Sequence, residues 1–358
     1  MITPRRAIGH LCRLCVTFTV GLTLLLLVCD ARAEALRIAC YNMTNNPDDA
    51  TEDSWFRTVF SAMGQESING LARPLDLLCM EETDTAGGPR TRDVLNNLYG
   101  VSTYQVLTST SVGGDKTGVV YNSANVTLLD WADLNSIGLT HPILRSHFQL
   151  ASSTDPNTEF YLYAVHLKSG SDSAAKDKRA AEATTLRNDI LALGAGKNFI
   201  LAGDFNMEGS SEGAWTNFTA AGSGQLFDVA NSPGEWTDNE SFKTLHSYGT
   251  TAPVGGMDNR FELQMVTASL FDGVGLDYSG RSFHVFANNG THTLNGAIST
   301  GTGASPTVLS ALESASDHLP AVADYIVVPE PSSVAFLTTG LLTAICLWRQ
   351  RAGATQRR

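Results

Sequence analysis

Apolar positions in this chain gather into short runs that stop on polar residues. Leu36-Arg37-Ile38-Ala39-Cys40-Tyr41-Asn42 predicts a first strand ending on Asn42, and Leu75-Asp76-Leu77-Leu78-Cys79-Met80 a second ending on Glu81 and Glu82. Phe160-Tyr161-Leu162-Tyr163-Ala164-Val165-His166-Leu167 predicts a third with His166 at its end, and Asn198-Phe199-Ile200-Leu201-Ala202-Gly203 a fourth that runs into Asp204 and Asn206. Runs of this length, bounded by Gly, Pro and Asn, read as buried strands. Strand side chains alternate in direction, so Asp204 and Asn206 point to the same side as the chain leaves its sheet.

Helical spacing appears elsewhere. Trp55, Phe56, Val59, Phe60 and Met63 recur at that spacing, a short helix is predicted around 92–99, and 174–193 is the clearest helix. In the last, Ala180, Ala183, Leu186, Ile190 and Leu193 form one face, and Lys176, Lys178, Glu182 and Asp189 are expected outside. Short runs at 104–107, 118–121, 126–131 and 146–150 predict an antiparallel portion. A further strand is expected to begin at 257–263, a long surface excursion to occupy 272–306, and a closing strand to follow Ser316-Asp317-His318-Leu319-Pro320 over 321–328. No linker or fixed-period repeat divides this stretch, which predicts one domain with two sheets and a site at the strand ends.

The two ends read differently. Arg5, Arg6 and Arg13, an apolar run at 16–28 and Ala31-Arg32-Ala33 form a secretory signal peptide over 1–33. The folded domain is then expected over 34–328. After Val328, Pro329-Glu330-Pro331 leads into an apolar stretch at 334–348 and then Arg349, Arg351, Arg357 and Arg358. Fifteen residues rise only ~22 Å as a helix, short of a ~30 Å hydrocarbon core. This tail, 329–358, resembles a PEP-CTERM sorting signal. The resemblance implies an exosortase-type processing enzyme, transient membrane association, and an exported protein of the cell surface, outer envelope or medium. An ordinary short anchor with its positive residues inside is the alternative.

Removing both ends lowers the basic residues from 24 to 16 and the acidic ones from 36 to 34, so the net charge moves from -12 to -18. Such a surface repels polyanions at long range, and a polyphosphate substrate would need cations as intermediaries. Cys40 and Cys79, the cysteines left between the ends, lie in strand-like runs and are expected as buried free thiols, with a single disulfide as the alternative.

Set together, the run ends are Asn42, Glu82, His166, Asp204 with Asn206, Asp258, and Asp317 with His318. A buried unpaired charge is expensive, and a shared metal site accounts for all of them. Carboxylate and amide oxygens suit Mg²⁺, Mn²⁺ or Ca²⁺, whereas zinc favours imidazole and thiolate. Residues 34–328 have no H-E-x-x-H, paired-cysteine or G-x-x-x-x-G-K motif. Cation-assisted hydrolysis with two histidines remains.

Five ordered segments, Arg37 to Asn42, Asp76 to Glu82, Ala164 to Lys168, Gly203 to Asn206 and Ser316 to Pro320, resemble the motifs of the endonuclease/exonuclease/phosphatase superfamily. The resemblance implies a four-layered α/β sandwich: two mixed, mostly antiparallel sheets packed face to face, with outer helices. It makes Glu82 the principal metal ligand, with Asn42 and Asp317 beside it. It makes His318 a general base or transition-state stabiliser oriented by Asp258, while Asp204 and Asn206 position the nucleophile and phosphoryl group. His166 donates to a phosphate oxygen or to the leaving group. The implied activity is divalent-metal-dependent hydrolysis of a phosphoester by in-line attack of water, first as a phosphodiesterase or nuclease acting as a monomer. A phosphatase or phospholipase-like enzyme on small or lipid phosphoesters is the alternative, and a non-catalytic surface-displayed binding module a second one. Glu81 stands where the family commonly has Gln. Arg145 and Lys168 are candidate phosphate contacts, and Asp115 a candidate acidic partner for His166.

Overall fold

The computed structural model describes residues 35–44, 50–110, 116–134, 138–194 and 196–328. The expected signal peptide, the sorting tail and Asp115 lie outside them. In chain order the first half comprises β1 (Ala35–Asn42), α1 (Ala50–Gln65), β2 (Ser67–Ile68), β3 (Leu71–Ala72), β4 (Leu77–Thr83), α2 (Gly87–Tyr99), β5 (Tyr104–Thr108), β6 (Lys116–Asn122), β7 (Val126–Asp133) and β8 (Leu144–Leu150). The second half comprises β9 (Glu159–His166), α3 (Ser173–Leu193), β10 (Asn198–Asp204), α4 (Gly213–Thr219), β11 (Leu226–Asp228), β12 (Glu262–Thr267), β13 (Gly275–Tyr278), β14 (His284–Val285), α5 (Pro306–Ala315) and β15 (Ala321–Val328).

Two sheets carry the fold. One runs β13-β15-β1-β4-β6-β5, with β14 also on β15, and the other β11-β12-β10-β9-β8-β7. Leu36, Ile38 and Cys40 of β1 meet Ile200 and Ala202 of β10 in the layer between the sheets. The opposite faces are covered too: Ala39 and Tyr41 pack with Phe56 and Phe60 of α1, and Phe199 and Leu201 pack with Leu186 and Ile190 of α3. Burial on both faces is why these strands read as continuous apolar runs rather than alternating ones. The result is the expected four-layered sandwich. Each sheet mixes parallel pairs, β1 with β4 and β9 with β10, among antiparallel ones.

Three expectations change. The strand anticipated at 257–263 begins only at Glu262, and residues 272–306 are not wholly surface excursion, because β13 and β14 add to β15. Glu182 is not on the solvent face of α3. It is 1% exposed and accepts from the backbone N–H groups of Thr140 and Lys168. A carboxylate that collects backbone donors is held inside for them, which periodicity does not register. Cys40 and Cys79 are free and buried, side by side in the β1–β4 register. Among the described residues no helix is long and apolar enough to cross a membrane.

Candidate active site

The strand registers place the chemistry. Asp204 ends β10, opposite His166 on one neighbour and Glu262 on the other. β10 and β9 lie unusually close at this point: Gly203 has φ +151, and a Cβ there would stand 2.0 Å from the Val165 carbonyl oxygen. Only glycine fits that approach. On the facing sheet Asn42 is in register with Glu81. A register shift between Met80 and Thr83, with Glu82 at φ +50, breaks the alternation. Such a bulge re-aims a side chain. Glu81 is consequently fully buried, while the Glu82 carboxylate is 31% exposed and lines the cleft.

That cleft holds about 340 Å³ and is lined by Glu82, Asp204, Asn206, Glu208, Asp317 and His318, by Ser169, Gly170 and Ser171, and by Thr237, Tyr248, Asn259 and Phe261. His318 Nδ1 lies 2.5 Å from Glu262 Oε1. Its Nε2 faces Asp204 Oδ2 at 3.9 Å and Asp317 Oδ1 at 4.0 Å. Burial alone would lower the pKa of His318, but Glu262 first and Asp204 next raise it to about 10. His166 behaves oppositely. Burial, then His141, His318 and Lys168, push it well below the ordinary histidine value. Its ring stacks on His141 with centroids 3.9 Å apart, and Nε2 stands 3.9 Å from Glu82 and 3.8 Å from Asp204. Burial pushes Asp204 up to about 7, with Glu262 adding to the shift and His318 opposing it.

Polar neighbours hold these groups in place. Asp204 Oδ1 accepts from the Asn206 N–H at 2.8 Å, and Asn206 Nδ2 donates to the Leu167 carbonyl at 3.1 Å. Asn42 Nδ2 donates to Glu82 Oε1 at 3.0 Å and to Asp204 Oδ2 at 3.2 Å, while its Oδ1 accepts from the Thr44 N–H at 3.0 Å. Thr44 Oγ1 donates to Asp317, and Ser316 Oγ donates to the Asn42 carbonyl at 2.7 Å. From the far side Arg179, fully buried, pairs with both oxygens of Glu212 and donates to the carbonyls of Lys168 and Gly170. Glu212 in turn accepts from the Glu208 N–H at 2.9 Å.

Asn42, Glu82, His166, Asp204, Asn206, Asp317 and His318 therefore converge. Asp258 does not hold His318: its carboxylate accepts from Asn259 Nδ2 at 2.5 Å. Burial, then repulsion from Asp238, push it up to about 6. Because β12 starts at Glu262, the carboxylate beside Asp204 and behind His318 is Glu262. Sequence reading missed it, although a glutamate opening an apolar run in Glu262-Leu263-Gln264-Met265-Val266 was a visible signal. It also missed His141, Tyr248 and Phe261. Arg145 is not a phosphate contact; its Nη1 donates to both carboxylate oxygens of Asp189 of α3. Lys168 is half-buried and does not line the cleft.

The donor set suits a hard divalent cation. Glu82 and Asp317 offer partly exposed carboxylates beside Asp204, and negative charge there exceeds what the two histidines neutralise. Asn42 presents its nitrogen, not its oxygen, to Glu82 and Asp204, so as placed it serves as a donor. Use of its oxygen as a ligand needs an amide rotation that releases the Thr44 N–H.

Residues 40–341 match the sequence profile of the Endonuclease/Exonuclease/phosphatase family. The chain belongs to that family. No curated protein matches it in sequence. Among solved structures it is similar to the human Nocturnin catalytic domain with bound sulfate, at 17% identity and TM-score 0.52, over 82% of this chain and 94% of that one. It is also similar to D. rerio TDP2 complexed with single-strand DNA product, at 12% identity and TM-score 0.51, over 81% and 98%. The Bacteroides thetaiotaomicron mannosyl-6-phosphatase Bt3783 gives 14% identity and TM-score 0.50, over 81% and 99%. At these identities the likeness speaks for the fold. The family's enzymes are phosphoesterases, and a hydrolase of this type is what the chain is.

Proposed function

We propose that this family member is an exported, divalent-metal-dependent hydrolase of small phosphoesters, cleaving by in-line attack of water. The observation that carries this reading is the His318–Glu262 pair facing Asp204 across 3.9 Å, in a cleft shared with Glu82 and Asp317, with the buried His166 3.8 Å from Asp204. Glu82 and Asp317, beside Asp204, would hold a divalent cation, which when bound would supply Lewis-acid polarisation of the phosphoryl group. The chain's own residues do the rest. Glu262 fixes the His318 ring so that Nε2 faces the cleft and keeps it protonated; His318 holds the attacking water, and Asp204, raised to about 7, takes its proton. His166, uncharged and stacked on His141, donates to a phosphate oxygen or the departing oxygen from the opposite side.

Substrate size follows from charge. The cleft lining includes four carboxylates, Glu82, Asp204, Glu208 and Asp317, and no Lys or Arg. None of the internal stretches outside the described residues contains Lys or Arg either. A nucleic acid is gripped chiefly through phosphates flanking the cleaved one, by cationic side chains. The nearby Lys176 is engaged by Glu208 at 2.6 Å, and no cationic side chain among the lining residues is offered to them. The nuclease reading favoured by the sequence motifs accordingly yields to a substrate with a single engaged phosphate.

The test is a substrate panel of plasmid DNA, RNA, a small phosphodiester and a phosphomonoester, run with Mg²⁺, Mn²⁺ or Ca²⁺ and again after EDTA. Turnover of a small ester is expected with cation and is expected to fall at least ~100-fold with EDTA, returning when metal is restored. Inertness towards every ester would sink the hydrolase reading, and preferential nicking of plasmid would sink the small-substrate one.

A further inference from the structure

All the catalytic groups occupy one end of the strands, and the opposite end has a distinct surface. β15 starts beside His318 and runs eight residues to Val328, roughly 23 Å away. There Val328 pairs with Gly275, and Thr267, at the far end of β12, pairs with Leu226. Next to these pairings Phe227, Phe271 and Val274 are 36%, 46% and 44% exposed. Phe271 packs edge-on against Phe227 with centroids 6.1 Å apart and against Tyr278 at 5.8 Å, and Tyr278 packs on the buried Tyr325 at 5.9 Å. Rings braced from the core do not retract. The turn Phe271-Asp272-Gly273-Val274 presents its two apolar side chains outward, while the Asp272 carboxylate is tied back to the Val274 N–H at 2.9 Å.

The covalent path gives this patch its context. The apolar stretch 334–348, followed by Arg349 and Arg351, begins six residues after Val328. The five intervening residues span at most ~18 Å when extended. Whatever lipid surface receives that stretch is held within this distance of the pole carrying Phe227, Phe271 and Val274.

We propose that this pole is the face that meets a lipid bilayer, with Phe271 and Val274 entering its interface and the catalytic cleft pointing away. The inference rests on the reading of 334–348 as a segment that enters a bilayer. Braced aromatic and aliphatic tips gain from insertion into the headgroup region, and the exposed Asp272 between them, whose carboxylate accepts from the Val274 N–H, stays at the hydrated headgroup level. The enzyme then works on soluble substrate approaching from the aqueous side.

The test uses the full chain in phosphatidylcholine vesicles, with lipid brominated near the headgroup as the quencher. Phe271→Trp and Ser171→Trp, the latter in the cleft rim, are each made in a Trp348→Phe background, and the background signal is subtracted. Emission from Phe271→Trp is expected to fall by about half with brominated lipid, and that from Ser171→Trp to stay unchanged. If the chain fails to sediment with vesicles, the membrane reading of 334–348 fails and this proposal with it. If it sediments but Phe271→Trp is unquenched, or Ser171→Trp is the one quenched, the orientation is wrong while the membrane reading stands. Shielding of Phe271→Trp from aqueous acrylamide without quenching by lipid would assign the patch to the chain's own tail or to a second copy. The hydrolase reading is independent of every one of these outcomes.

Discussion

A single hydrogen bond organises the reactive centre. Glu262 Oε1 sits 2.5 Å from His318 Nδ1, and this contact fixes both the ring's orientation and the nitrogen that faces the cleft. Glu262→Gln keeps the shape but removes the charge, so kcat should drop by roughly 100- to 10,000-fold with KM little changed. Steady-state kinetics at saturating metal checks this, and an unchanged kcat would return the orienting role to another group. Glu81 lies beneath, fully buried, with neither carboxylate oxygen hydrogen-bonded. Burial, then repulsion from Asp204 and Glu262, raise its pKa well above the usual carboxylate value, against a smaller opposing effect of His318. A raised folded pKa in an acid means stability is lost as pH climbs from the unfolded value, about 4.3, towards the folded one. Glu81→Gln should therefore stabilise the metal-free protein at pH 7, a gain that vanishes below about pH 4. Urea titrations in EDTA at the two pH values measure it, and an equal effect at both would show that charge is not the cause.

At the scale of elements, what matters is how strand ends are held to the loops that leave them. α3 contributes more than an apolar face. Arg179 reaches from it to the carbonyls of Lys168 and Gly170, and Glu182 to the Lys168 N–H, so the helix clamps the loop that forms one cleft wall. Arg179→Met strands the buried Glu212 and frees that loop. It should cost about 3–5 kcal/mol of stability and raise KM more than it lowers kcat. Denaturant unfolding together with kinetics at a permissive temperature separates the two effects, and a stable variant with normal KM would remove α3 from the site. The same scale shows how far sequence reading goes. Strand and helix positions along 36–42, 75–80, 160–167, 198–204 and 174–193 were legible because apolar runs and 3.6-residue spacing are local. Glu82 and Glu262 were harder. A bulge re-aims the first, and cross-strand register alone brings the second opposite Asp204.

Over the whole molecule, chemistry is confined to one pole, and the chain leaves β15 at the other. A chain ending at Val328 should keep kcat/KM on a soluble phosphoester within about twofold of the full chain, since changes far apart with no shared partners act independently. A larger loss, measured with both forms in the same detergent, would mean that residues after 328 act on the cleft. The cleft's charge belongs to this scale too. Four carboxylates line it, a concentration of like charge that neither the net balance of the chain nor any single motif conveys.

By itself the sequence determined the periodicities, the both-face burial of the central strands and the kinds of polar group at their ends, because those are local properties of side-chain order. It also determined the family. Tertiary structure alone decided which carboxylate stands behind His318, that Asp258 does not, and that Glu81 turns inward while Glu82 faces the cleft. Those outcomes depend on strand register and on one bulge, which are set by packing between segments that are not neighbours in the chain, Glu262 and His318 being 56 positions apart.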